Sequence, residues 1–183
     1  MAIILGIDPG SLKTGYGIIN QVGAKAQYIA SGVVRLQQLP NLAERLDTIF
    51  CCISEIIELH LPQEMAIEEV FMGKNAQSAL KLGHARGAAM IAATQNQLPV
   101  YEYAARKVKQ SVVGHGNADK ASVGYMVKQL LSLPSVPQED AADALAIALC
   151  HGHSRQQLIQ SASPRLGKRG RMQLSSIQSR KIV

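Results

Sequence analysis

Four acidic residues stand at the ends of apolar segments, where a soluble domain has no structural use for a charge. They are Asp8, Glu68, Asp140 and Asp143. The first two each end an apolar run, and the last two open a helical segment rich in Ala and Leu. Burying a carboxylate is costly unless a partner offsets its charge. A fold that brought the four acids together would need a divalent cation between them, and such a site suggests metal-assisted attack on a phosphodiester.

The chemistry of these side chains selects the cation. All of the candidate ligands are hard carboxylate oxygens, without a cysteine or histidine cluster, so Mg²⁺ is predicted and Mn²⁺ is expected to substitute for it. Two such ions about 3.5–4 Å apart would clamp the attacking water and the leaving oxygen of an in-line displacement. No serine or cysteine with a paired histidine is evident, so a covalent phospho-enzyme is not expected.

Each acid taken alone also has a purely structural explanation. Asp8 precedes a Pro-Gly pair and can be a turn former, and Glu68 can be a partly exposed strand residue. Asp140 would complement the positive end of a helix dipole. Asp140 and Asp143 are three residues apart, which places both on one side of a helix's first turn. The four together are more specific than any one of them.

Size and composition favour one α/β domain. The chain has 183 residues, of which 47% are hydrophobic, enough for a single core. No apolar run reaches the roughly 18 residues that span a bilayer, and no basic segment precedes the first apolar run, so a cytoplasmic protein is expected. The three cysteines (Cys51, Cys52 and Cys150) lack metal-binding spacing, and we interpret them as small buried hydrophobic residues in a reducing compartment.

The charge is unevenly distributed along the chain. Residues 1–150 carry 12 basic and 13 acidic side chains, whereas residues 151–183 carry seven basic side chains and no acid. The tail is also polar and rich in Ser, Gln and Arg, so residues 1–153 are predicted to form the domain and residues 154–183 a disordered extension. A basic tail favours a polyanionic partner, but it can equally be a solubilising end. His151 and His153 are expected at a helix cap or in solvent.

Hydrophobic periodicity predicts an alternating order of strands and helices. Strands are expected at 2–8, 14–20, 27–36, 64–70 and 99–103, and helices at 41–60, 76–97, 104–113, 119–132 and 137–152. Three hairpin-connected strands followed by α-β-α-β correspond to a ribonuclease-H-like arrangement: a mixed five-stranded sheet with helices on both faces, one of several α/β possibilities. The helix at 76–97 carries Ala79, Gly83 and Gly87 at four-residue spacing, which suits either a dimer interface or close packing on the chain's own sheet.

Seven motifs in a fixed order resemble the RuvC family of bacterial crossover junction endodeoxyribonucleases, the Holliday junction resolvases. They are residues 6–11 (GIDPGS), 14–17 (TGYG), 66–68 (AIE), 70–71 (VF), 78–83 (SALKLG), 103–105 (YAA) and 140–146 (DAADALA). The similarity runs from about residue 2 to residue 153. It implies a ribonuclease-H-like fold and a homodimer that nicks two strands of four-way junction DNA symmetrically during recombination and repair. It also implies 5′-phosphate products and partnership with the RuvA and RuvB branch-migration complex.

The resemblance assigns roles to individual residues. Asp8, Glu68, Asp140 and Asp143 match the catalytic, metal-binding acids of the family. Phe71 matches an aromatic residue inserted near the crossover, and Lys109 and Lys120 match lysines near the DNA. Lys74, in the segment after Phe71, is a further DNA-binding candidate. As alternatives, Phe71 can be a buried core residue, the basic cluster around Lys109 a solvated helix face, and Lys120 part of a helix-start pair with Asp119.

One departure from the family concerns Glu69, where relatives often have an uncharged residue. Neighbouring side chains of a strand point to opposite faces, so Glu69 is expected outside the metal site.

Two other functions remain possible from the sequence. Residues 6–10 also resemble the first motif of actin-like nucleotide phosphotransferases, but 183 residues cannot hold the usual two lobes. A non-catalytic junction-binding module would lack one or more acids, and all four are present. Aromatic content is only 4%, so recognition of DNA is expected to depend on backbone charge and junction shape, not on stacking.

Overall fold

The computed structural model describes residues 1–70 and 75–162. Phe71 and Lys74 lie outside these residues. The strands are β1 (Ala2–Asp8), β2 (Lys13–Val22), β3 (Lys25–Arg35), β4 (Glu64–Glu68) and β5 (Val100–Tyr103). The helices are α1 (Leu42–His60), α2 (Ala76–Gln95), α3 (Ala105–Val113), α4 (Lys120–Leu130) and α5 (Glu139–Ala162).

The five strands form one mixed sheet in the order β3-β2-β1-β4-β5. Strands β1, β2 and β3 pair antiparallel through short connections, whereas β4 and β5 run parallel to β1. The parallel pairs need crossover connections, and the helices α1 and α2 provide them. The predicted mixed five-stranded α/β arrangement is confirmed.

Each face of the sheet buries its own hydrophobic core. Alternate residues of β1 face opposite sides: Ile4 packs with α3, α4 and α5, whereas Leu5 and Ile7 pack with α1 and α2. The neighbours in β4 divide in the same way, because Ala66 joins the first core and Ile67 the second. Side chains at the next positions, Asp8 and Glu68, therefore belong to the face that α5 covers.

Side chains that cap helix N-termini set where three of the helices begin. Asn41 accepts a hydrogen bond from the backbone N–H of Glu44 (3.0 Å), and its amide donates to the Glu44 carboxylate (2.8 Å). Asn75 caps α2, and Asp119 caps α4 by accepting from the N–H of Ser122 at 2.7 Å. Each cap satisfies a backbone donor that the helix itself leaves unpaired. Because Asp119 caps its own helix, the neighbouring lysine, Lys120, pairs elsewhere.

Helix α5 lies unusually close to the sheet because three strand residues beneath it are glycines. A Cβ at Gly6 would overlap the carbonyl oxygen of Ala144, and one at Gly15 would overlap the carbonyl oxygen of Asp140. A Cβ at Gly17 would meet Leu145. In the sequence, Gly15 and Gly17 weaken the strand pattern of β2, yet in the fold they allow the helix that carries two of the acids to approach.

Helix α5 also extends further than the sequence predicts. It runs to Ala162, beyond residue 153, so residues 154–162 are helical. Contacts with β4 hold this extension: His151 Nε2 lies 2.7 Å from a Glu64 carboxylate oxygen, and Arg155 Nε donates to the other oxygen at 3.1 Å. His151 is buried and also bonds the Tyr103 hydroxyl, so its expected place at a cap or in solvent is wrong. The boundary between domain and tail stays a prediction.

Two smaller points concern the cysteines and the membrane. Cys150 is buried, whereas Cys51 is exposed, because the buried stripe of α1 consists of Ile49, Ile53 and Ile57. The expectation of burial is therefore wrong for Cys51. Across the two described stretches, none of the helices has the length and apolarity to cross a membrane.

Candidate active site

Two of the four acids meet at one edge of the sheet. Asp8 is the last residue of β1 and Glu68 the last residue of β4, and these strands are parallel neighbours. The register pairs Ile7 with Ile67, so the next position places Asp8 beside Glu68. The carboxyl ends of parallel strands are where α/β sheets form their functional crevices.

Helix α5 adds the other two acids from above the sheet. Asp140 and Asp143 lie in its first turns, and Gly15, the residue opposite Asp8 on β2, lies directly beneath the backbone of Asp140. Asp143 lines the same cavity as Asp8 and Glu68. Asp140 lies beside this cavity, with a carboxylate oxygen 3.8 Å from Lys13 Nζ.

The cavity has a volume of about 230 Å³ and combines acids, lysines and apolar walls. Its residues are Asp8, Glu68, Ala105, Val108, Lys109, Lys120, Val123, Asp143, Ala146 and Ile147. The lysines come from α3 and from the start of α4, so three helices and two strands contribute to the same space. Both lysines that the resemblance places near DNA are therefore next to the acids.

The acids strongly disfavour one another's charge. The pKa of Asp8 is raised from 3.8 to about 8, first by burial and then by the negative charges of Glu68 and Asp143. Burial also raises the pKa of Glu68, and the Asp143 carboxylate raises it further. The pKa of Asp143 is raised by burial, although Lys120 acts against this. A cation placed among these groups would relieve both the desolvation and the repulsion.

Lys120 contacts two acids at the start of α5. Its Nζ lies 2.5 Å from a Glu139 carboxylate oxygen and 3.3 Å from an Asp143 oxygen. These contacts, the hydrogen bond to Glu139 first, raise the pKa of Lys120. Lys120 contacts Asp143 as well as Glu139, so one oxygen of the Asp143 carboxylate faces the lysine.

The donor set fits a hard divalent cation in chemistry and in charge, since it consists of carboxylate oxygens around a half-buried Asp8. As the side chains stand, however, no three of the His, Cys, Asp and Glu residues within 1–70 and 75–162 converge closely enough to hold an ion. One oxygen of the Asp143 carboxylate is already in contact with Lys120 Nζ, at 3.3 Å.

Three residues near the acids escaped the sequence analysis. Lys13 contacts Asp140, Glu139 pairs with Lys120, and Arg86 donates to the backbone carbonyl of Glu68. Only Glu139 carries a sequence signal, because it directly precedes Asp140. The other two act from distant segments and could not be recognised from local pattern. Glu69 is exposed and does not line the cavity, in line with the expectation for it.

A mixed sheet with acids at the ends of β1 and β4 and on the last helix defines a nuclease of the ribonuclease-H-like class. The family model described as crossover junction endodeoxyribonuclease RuvC matches residues 4–151. The chain belongs to this family, and the resemblance predicted from its motifs is confirmed.

Similar proteins cover nearly the whole chain. The crossover junction endodeoxyribonuclease RuvC of Saccharophagus degradans is 61% identical over 172 residues, which cover 94% of this chain and 99% of that protein. The protein of the same name from Teredinibacter turnerae is 60% identical over 175 residues, covering 93% of this chain and 99% of that protein. The structure of T. thermophilus RuvC in complex with Holliday junction substrate matches with a TM-score of 0.80 at 34% identity, covering 86% of this chain and 96% of that one.

Proposed function

We propose that this chain is a structure-selective endonuclease that resolves four-way (Holliday) DNA junctions in recombination and repair. The observation that carries the proposal is the cavity that joins Asp8, Glu68 and Asp143 to Lys109 and Lys120. The family described as crossover junction endodeoxyribonucleases supplies the substrate class. The products are paired symmetric nicks with 5′-phosphate ends.

The family implies dependence on a divalent metal ion. We propose that the ion is Mg²⁺, with Mn²⁺ able to replace it, and that two ions bind to Asp8, Glu68, Asp140 and Asp143. Bound there, the ions would lower the pKa of a water molecule and stabilise the charge that develops on the phosphate. Asp8 shares the cavity with Glu68 and Asp143, whose charges help to raise its pKa, and a cation held there would favour its ionised form.

The lysines and the apolar walls of the cavity act on the scissile phosphate of the DNA. Lys120 Nζ lies 3.3 Å from an Asp143 oxygen, and with a cation bound to that carboxylate its ammonium would be available to a phosphate oxygen of the scissile strand. Lys109 lines the same cavity and adds a second positive charge where the DNA backbone enters. Val108, Val123 and Ile147 restrict water around the reacting groups.

Further parts of the proposal do not rest on described contacts: Phe71 and the protein partners come from the family, whereas Lys74, the compartment and the boundary at residue 153 come from the sequence. Phe71 and Lys74 bind DNA next to the crossover, Phe71 as an apolar wedge that unstacks a base step. RuvA and RuvB are the protein partners, and the cytoplasm is the compartment. Residues 1–153 form the nuclease domain and residues 154–183 the basic tail.

We also propose that the chain acts as a homodimer through α2. Among the described residues, and apart from the helix's own backbone, a Cβ at Gly83 or at Gly87 would meet no atom within 4 Å, so these glycines do not pack on the chain's own sheet. The buried alanines of α2 make that contact instead; they are Ala85, Ala89, Ala92 and Ala93. Beside Gly83 lies an apolar groove of about 460 Å³, and Leu80 on its wall is 62% exposed. A second α2 helix would cover this face.

The test is a cleavage assay on a mobile four-way junction with and without Mg²⁺. Wild-type protein should produce paired nicks only with the metal. Asp8→Asn and Asp140→Asn should lower the cleavage rate by at least about 100-fold, because each removes a metal ligand, while junction binding is retained. Glu69→Gln is the matched control, since it neutralises the acid next to Glu68 outside the cavity, and it should cleave at the wild-type rate.

Three outcomes would contradict the proposal. Cleavage in the presence of chelator would remove the metal mechanism. Equal cutting of plain duplex DNA would remove junction selectivity. Junction binding without any cleavage by the wild-type protein would favour the non-catalytic binding module instead.

A further inference from the structure

Arg86 connects α2 to the catalytic end of β4. Its Nε donates a hydrogen bond to the backbone carbonyl oxygen of Glu68 at 3.2 Å, and its Nη2 pairs with the carboxylate of Glu102 on β5. The side chain is only 19% exposed, so this contact is sheltered from water. The guanidinium therefore bridges the last residue of β4 and the neighbouring strand.

The Glu68 carbonyl needs such a partner because β1 cannot supply one. The parallel register pairs Ala66 with Gly6 and Ile67 with Ile7, so the next pair is Glu68 with Asp8. In a parallel ladder the donor for the Glu68 carbonyl would be the residue after Asp8, which is Pro9. Proline has no backbone N–H, and an unpaired carbonyl at this half-buried position would be costly.

The peptide that follows Glu68 is held from both sides. Its N–H, that of Glu69, donates to the carbonyl of Tyr103 at 2.9 Å, and its C=O accepts from Arg86. Because both polar groups of this peptide are bonded, its plane is held in place, which constrains the backbone angle ψ of Glu68. The carboxylate of Glu68 lies on the opposite face of the sheet, in the acidic cavity, so Arg86 acts on it through the backbone.

We propose that Arg86 is a positioning residue for the metal site: from the α2 face of the sheet it sets the direction in which the Glu68 carboxylate points. This inference rests on the proposed function, because it presupposes that Glu68 binds the metal. Groups that orient a ligand are nearly as important as the ligand, and their loss typically costs about 10- to 100-fold in metal affinity or activity.

A second arginine provides a matched control at the other end of the same strand. Arg155 on α5 pairs with Glu64, the first residue of β4, at 3.1 Å. It joins a helix to β4 just as Arg86 does, but it lies away from the acidic cavity. Loss of Arg155 should cost stability without affecting the metal.

The experiment compares Arg86→Gln, Arg86→Lys and Arg155→Gln in the full chain. Mn²⁺ binding is measured by electron paramagnetic resonance of the free ion, junction binding in chelator, and melting temperature by calorimetry. Arg86→Gln should weaken Mn²⁺ binding by about 10- to 100-fold and raise the metal concentration for half-maximal cleavage in parallel. Junction affinity in chelator should stay within about threefold, because backbone charge dominates it. Arg86→Lys should recover part of the loss, since an ammonium can satisfy the carbonyl but not bridge both partners.

Equal losses of stability in Arg86→Gln and Arg155→Gln, with unchanged Mn²⁺ binding in both, would show that Arg86 is merely structural and would overturn the inference. If Arg86→Gln does not fold, Glu102→Gln keeps the arginine but removes its anchor, and unchanged Mn²⁺ binding in that variant would overturn it equally. Failure of the wild-type protein to cleave with metal would instead overturn the proposed function. The Mn²⁺ measurement distinguishes this outcome from failure of the Arg86 inference, because it reports metal binding independently of cleavage.

Discussion

At the scale of single residues, Asp8 has the most unusual environment in the site. Loss of solvent around its half-buried carboxylate, followed by the charges of Glu68 and Asp143, raises its pKa from 3.8 to about 8. In the unfolded chain the same group titrates near its ordinary value of about 3.9. The folded, metal-free protein therefore holds a proton on Asp8 at neutral pH that the unfolded chain has released.

This difference predicts how stability depends on pH without metal. Between about pH 4 and pH 8 the folded state binds the extra proton, so the Asp8 contribution to the unfolding free energy falls as the pH rises. Asp8→Asn removes this pH-dependent fall in the unfolding free energy, because asparagine carries no titratable carboxyl group. In chelator, its advantage over wild type should grow by about 2–4 kcal/mol between pH 5 and pH 8 and level off above, as measured by urea unfolding.

The control for this measurement is Asp47→Asn, which changes an exposed acid on α1. The unfolding free energy of this variant should differ from that of wild type by the same amount at every pH. If the unfolding free energies of Asp8→Asn and wild type differed by the same amount at every pH, the raised pKa of Asp8 would be contradicted.

At the scale of elements, the approach of α5 to the sheet places the last two acids. The apolar periodicity predicts both the strands and the helix, because a strand repeats every two residues and a helix every 3.6. Periodicity does not show how closely two elements pack. Gly15 and Gly17 lower the strand signal of β2 for the same reason that they suit this fold: they have no side chain to hold α5 away.

Two glycine substitutions separate stability from site geometry. Gly15→Ala and Gly17→Ala should each lower the unfolding free energy by about 1–3 kcal/mol, because both push α5 from β2. Gly15 lies beneath Asp140, whereas Gly17 lies beneath Leu145. Gly15→Ala should therefore also raise the metal concentration needed for half-maximal cleavage, measured by metal titration, by severalfold more than Gly17→Ala. Equal metal requirements for the two variants would contradict the placement of Asp140 by α5.

At the scale of the whole molecule, the uncovered face of α2 concerns assembly. The four-residue spacing of Gly83 and Gly87 is compatible with a dimer interface and with packing on the chain's own sheet. The free space above both glycines excludes the second possibility within the described residues. The dimer itself stays a prediction.

Substitution with a large side chain tests the dimer. Gly83→Leu and Gly87→Leu should convert the protein to monomers in sedimentation, because leucine would keep a second helix from approaching. Paired nicking of the junction should change to single, uncoupled nicks. Thr94→Leu, at an exposed position near the other end of α2, is the control and should stay dimeric. Dimers of unchanged stability in both glycine variants would remove α2 from the interface.

Much of the fold follows from local pattern in the sequence. Within residues 1–70 and 75–162, the ten elements lie where the apolar periodicity predicts them, with ends displaced by a few residues except for α5. The acids Asp8 and Glu68 were recognisable because each ends an apolar run. Side-chain chemistry then indicated a hard cation, since this depends on residue types and not on their arrangement.

The remaining features depend on contacts between residues far apart in the chain. The register that puts Asp8 beside Glu68, the pairing of Lys120 with Asp143 and the hydrogen bond from Arg86 to the Glu68 carbonyl join distant segments. In the extension of α5, Arg155 likewise pairs with a residue of a distant segment, Glu64 in β4. Periodicity reports only which side of its own element a residue occupies. Which atoms meet across elements follows from the packing of the whole chain, where close approach and paired charges together offset the cost of burial.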